Sequence, residues 1–102
     1  MKITVICRVE PGCLGPDGAD HVEDFCQYAQ KQFNQVDTDA VDWEIIPRFD
    51  KTLDEVQYKL KSRILSDQQT GLYLKALGKD QNLFEDVMFQ QLTDSVNRYL
   101  NR

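Results

Sequence analysis

Three cysteines and the only histidine of the chain stand together near its start, as Cys7, Cys13, His21 and Cys26. These side chains can ligate zinc. No pair has the C-x2-C or H-x3-H spacing of a ribbon or finger, so no metal site is expected. Cys13 and His21 are the candidate catalytic residues, a thiol with a base eight positions on. Cys13 lies in a Gly/Pro loop ahead of a helix, where thiols acidify, but Asp17, Asp20, Glu23 and Asp24 follow and oppose that shift. A working nucleophile also needs an orienting group and oxyanion donors, and no motif supplies them. An enzyme is therefore not the expected class, and a thiol reaction at Cys13 stands as the alternative. Gly12, Gly15 and Gly18 match neither the dinucleotide fingerprint nor the P-loop, and no cofactor is expected. Asp37, Asp39 and Asp42 lack the glycine and terminal glutamate of a calcium loop.

The elements that would position these residues follow from periodicity. Residues 2–10 alternate, with Ile3, Val5, Cys7 and Val9 on one side, and predict a strand. A loop over 11–18 leads to a helix over about 19–35, whose apolar face is Val22, Phe25, Cys26, Ala29 and Phe33. Asp20 and Glu23 have the spacing of a capping box for it. After an acidic connection, residues 43–49 predict a strand that lies at an edge or ends at Pro47. Residues 55–65 predict another strand, with Val56, Tyr58, Leu60 and Ile64 alternating with Gln57, Lys59, Lys61 and Arg63. Ser66 to Gly71 reads as a turn and 72–77 as a fourth strand, with a short helix over 67–78 as the alternative. The last helix, about 83–100, starts at a second capping-box spacing, Asn82 and Glu85. Its stripe of Phe84, Met88, Leu92, Val96 and Tyr99 is widened by Phe89 and Leu100 beyond the roughly 100° that one packing face needs.

The expected fold class is thus α+β, a single domain over 1–102. One mixed sheet in β-α-β-β-β-α order would carry two helices on one face and leave the other face open. The order over about 19–100 resembles that of the double-stranded-RNA-binding domain. That resemblance implies a basic N-terminal turn on the last helix, where this chain has Glu85 and Asp86. Lys59, Lys61 and Arg63, pointing together to the open face, are the nucleic-acid candidates.

Composition narrows the function classes. The 102 residues are 41% apolar and 28% charged, with a net charge of −5, the balance of a globular domain. Excess carboxylate repels phosphate and makes a nucleic-acid partner unexpected. Residues 1–51 hold five basic and ten acidic groups, whereas residues 52–102 hold seven of each. No stretch approaches the roughly 18 apolar residues of a membrane span, so no membrane association is expected. The odd cysteine count favours a reducing, cytoplasmic setting. A non-catalytic interaction or regulatory module is the expected function. Its expected partner is another protein or a second copy, with Phe89, Val96 and Leu100 as interface candidates.

Overall fold

A computed structural model describes residues 2–101. Four strands form one mixed sheet in the order β2-β1-β3-β4. β1 (Ile3–Val9) is central and pairs with β2 (Val41–Pro47) in parallel and with β3 (Val56–Leu60) antiparallel. β4 (Arg63–Ile64) completes a short hairpin with β3. A parallel pair needs a crossover, which α1 (Gly18–Phe33) supplies. β2 lies at the sheet edge and ends at Pro47, as a missing N–H donor requires.

Alternation divides the two faces. Ile3, Val5, Cys7 and Val9 of β1 join Val41, Trp43 and Ile45 of β2 and Tyr58 of β3 in the core. Val22, Phe25, Cys26, Ala29 and Phe33 of α1 pack against them. The opposite face is open and polar. Lys59 reaches across β1 to Glu44 (3.1 Å), and Arg8 donates to Gln57 (2.6 Å) and to the Asp54 carbonyl (2.8 Å). Ile6 lies buried on that face.

The segment expected as a fourth strand, 72–77, is instead part of a third helix, α2 (Asp67–Ala76), so the short-helix alternative holds and the two expected helices are three. Ser66 and Gln69 form a reciprocal capping box at its start. Thr70 and Leu74 are buried and Leu77 packs against the core, a spacing of four then three that only a helix brings to one side. At the other end Gly78 takes φ +78°, and its N–H and that of Lys79 bond the Lys75 and Leu74 carbonyls (2.9 and 2.8 Å). This stop, which a non-glycine residue resists, turns the chain into α3 (Gln81–Leu100).

Both expected capping boxes on the long helices fail. α1 begins at Gly18, two residues before Asp20. A Cβ at Gly18 would collide with the Pro11 carbonyl, so the helix start sits directly on the 3-10 helix Pro11–Leu14. α3 is capped by Asp80, whose carboxylate accepts from the Leu83 N–H (3.0 Å), not by Asn82. Glu85 is drawn instead to the Tyr58 hydroxyl, which donates to it at 2.7 Å. Among the described residues no helix is long and apolar enough to cross a membrane.

Candidate functional site

The four residues at the start of the chain do not assemble into a reaction centre. Cys7 and Cys26 are buried, and burial pushes each thiol up to about 12. Charges at Glu55 and Cys13 add to the shift at Cys7, and those at Cys7 and Glu23 at Cys26. Such thiols are poor nucleophiles. Cys13 is exposed in the 3-10 helix and borders a shallow hollow with Arg8, Glu10, Glu55, Leu92 and Val96. His21 is exposed on the outer side of α1 and shares no hydrogen bond with Cys13. Among the described residues no group of three or more His, Cys, Asp or Glu is placed to hold a metal ion.

The basic row on 55–65 does not share a face, contrary to the alternation expected for one continuous strand. Residues 61 and 62 form the turn of the hairpin, with Lys61 at φ +57°. Leu60 pairs with Arg63 and Lys59 with Ile64. Cross-strand partners lie on the same side, so Arg63 follows Leu60 to the helix side while Lys59 stays on the open side, paired with Glu44. A two-residue turn thus reverses the alternation that the periodicity carried straight on.

The broad stripe of α3 is divided among several neighbours. Phe84, Met88, Ser95 and Tyr99 are buried. Tyr99 sets its ring edge-on to Phe25 of α1 (5.3 Å) and donates its hydroxyl to Asp24 (2.7 Å). Leu92 and Val96 are half-buried against the core. Phe89 and Leu100 stay exposed.

An aromatic concavity lies on the other flank of α3 and was not expected from the sequence. It is a groove of about 220 Å³ between the end of α1, the start of β2 and the first half of α3. Its floor is aromatic. Trp43 and Phe84 stack with rings 5.7 Å apart and 6° from parallel, and the Phe33 ring lies 4.8 Å from Trp43, tilted by 57°. The Trp43 indole N–H donates to the Val36 carbonyl (2.9 Å), which fixes the ring. At one end Lys79 Nζ pairs with Asp37 (3.2 Å) and lies 5.8 Å from the centre of the Phe84 ring. Leu83 and Val87 form the lip and are 66% and 62% exposed, an apolar pair standing in water beside an apolar floor. One signal was available. Leu83 and Val87 are four apart, each just before a stripe residue, so they mark a second apolar line along α3.

The free edge of β2 is closed to other strands. The Gln30 side-chain amide donates to the Trp43 carbonyl (2.7 Å) and accepts from the Ile45 N–H (2.8 Å), as a neighbouring strand would. No family model matches the chain, and no curated protein or solved structure matches it either. The class that fold and groove define is an α+β domain with a one-sided sheet and an aromatic cleft.

Proposed function

We propose that the protein is a non-catalytic interaction module of the cytoplasm, and that the aromatic groove holds an apolar side chain of a partner polypeptide with basic residues beside it. The supporting observation is the pairing of the Trp43–Phe84 floor with the exposed lip of Leu83 and Val87. The groove's volume of about 220 Å³ falls below the roughly 300 Å³ at which small-molecule pockets begin, and suits one or two side chains. Covering the lip would contribute about 2–4 kcal/mol. Asp80 borders the groove beside the Lys79–Asp37 pair, and Asp39 and Asp42 stand nearby in sequence, so basic flanks on the partner gain attraction and speed of encounter. The three free thiols agree with a reducing compartment.

Trp43 is the only tryptophan, so its emission reports occupancy directly. Titration with a peptide carrying Leu or Phe between lysines should shift and saturate that emission, and L83S/V87S should abolish the response. Emission that stays constant to about millimolar peptide, where even a binding energy near 4 kcal/mol would register, overturns the reading.

A second reading is a homodimer through the opposite flank of α3. Phe89, Thr93, Val96 and Leu100 recur at intervals of four, three and four, the spacing of a helix-pairing seam. Sedimentation of the wild-type chain and of L100E tests it: a concentration-dependent dimer that L100E dissociates supports the seam. The nucleic-acid alternative loses its row of three cations, and the thiol alternative keeps only Cys13.

A further inference from the structure

We propose that the cleft between the β3–β4 hairpin and α2 is a second docking site, for an acidic polypeptide segment anchored by a large apolar side chain. It goes beyond the aromatic groove, with which it shares no lining residue. Leu60 and Leu65 form one wall and Leu72, Tyr73 and Ala76 the other, around about 690 Å³ open to solvent. Leu72 is 64% exposed, so the apolar surface is uncovered. An open cleft would leave much of a small ligand wet, whereas small-molecule pockets bury about 70–90% of theirs. A polypeptide segment, which needs to bury only its anchor, is the fitting occupant.

Charge supplies the sign. The chain is acidic overall, yet residues 56–66 carry Lys59, Lys61 and Arg63 and no carboxylate. Lys59 is spent on Glu44. Lys61 and Arg63 line the cleft and, among the described residues, take part in no ion pair or side-chain hydrogen bond. The turn that divides the basic row is what brings these two cations to the apolar walls, because Arg63 shares the side of Leu60. Two free cations beside aliphatic surface match one or two carboxylates flanking an apolar residue. They are too few for a phosphate backbone, whose affinity grows with each charge neutralised.

The test uses the full chain and a fluorescein-labelled peptide of about 12 residues, alternating Leu or Phe with Asp and Glu, read by anisotropy at about 50 mM salt where screening is weak. Two matched peptides replace the acids by Lys or the apolar residues by Ser. The expected result is saturable binding of the acidic apolar peptide alone. K61E/R63E and L72S should each weaken it by about tenfold or more, equivalent to about 1.4 kcal/mol. These exposed substitutions should leave circular dichroism unchanged. L83S/V87S should leave binding intact, which separates this site from the aromatic groove. The proposal is overturned if no binding appears, if the lysine peptide binds equally, or if K61E/R63E has no effect. Binding of single-stranded RNA or anionic vesicles through Lys61 and Arg63, without dependence on Leu72, would also overturn it.

Discussion

Tyr58, Cys7 and Cys26 share one physical predicament: each is an acid that burial holds in its neutral form. The ordinary thiol value of 9.0 rises to about 12 at both cysteines, and the Tyr58 phenol rises from 10.0 through burial first and the Glu85 carboxylate second. A raised folded-state value favours the folded protein fully at pH below the unfolded value, and the gain is lost as pH climbs toward the folded one. Stability should thus be level to about pH 9 and fall from there to about pH 12, with Cys7 removing up to about 1.4 kcal/mol per pH unit. Urea midpoints across that range check this, and C7A/C26A should flatten the slope. In the native protein Cys13 should react with a thiol reagent at once, and Cys7 and Cys26 only on unfolding. Ser95 is the reverse case, a hydroxyl fully buried on α3 with no hydrogen-bond partner among the described residues. An unsatisfied buried donor is destabilising by about 1–3 kcal/mol, so S95A should raise the urea midpoint, by about 1 kcal/mol in stability.

Among the elements, the edge of β2 depends on a residue from outside the sheet. Gln30 gives β2 both halves of an amide pairing. Q30A should lower stability by about 1–2 kcal/mol, the net worth of two hydrogen bonds, and should open the edge to self-association visible by size-exclusion chromatography. Q30E keeps the acceptor for Ile45 but sets a carboxylate against the Trp43 carbonyl, so its defect should lessen as pH falls and the carboxyl gains a proton. If Q30E is as stable as wild type at neutral pH, the amide is not holding the edge. The elements were unevenly legible. β1 and α1 could be read because each has one partner surface and one clear period. α2 was misread because Leu72, Leu74 and Ala76 alternate by chance. Its capping spacing, Ser66 to Gln69, was the better signal, and Gly71 hid it. Gly71 is no turn residue but lies inside α2, where an added Cβ would meet only the movable tip of the Gln81 side chain, at 3.2 Å.

On the scale of the molecule, one sheet face is spent on three helices and the other stays open, crossed by pairs such as Lys59–Glu44 and Arg8–Gln57. Arg48 does similar work at the rim. Its guanidinium meets Glu10 (2.5 Å) and Glu55 (3.7 Å) and donates to the Leu53 and Lys51 carbonyls, tying the β2–β3 connection to the end of β1. Apolar surface is left open beside the helices, at the aromatic groove, the α2 cleft and the outer flank of α3, and also at Ile46, Phe49, Leu53 and Ile64 of the sheet and the β2–β3 connection. The two clefts carry opposite character at their mouths. Asp80 and the Lys79–Asp37 pair border the first, and Lys61 and Arg63 the second. Both readings therefore predict partners of opposite charge, and salt should weaken each, because exposed charges are screened within about 10 Å at 0.1 M.

The chain's own order of residues was enough to establish an α+β fold, the strand at 55–65 up to its turn and the edge position of Pro47. Those follow from local period and from residue chemistry, which neighbours in sequence already display. Tertiary structure alone decided where the cations go and where grooves form. Whether Lys59 and Arg63 share a face depends on a two-residue turn, and whether Trp43 is core or floor depends on Phe84 arriving from 41 positions away. Concavity is made between elements, so no single stretch of sequence contains it.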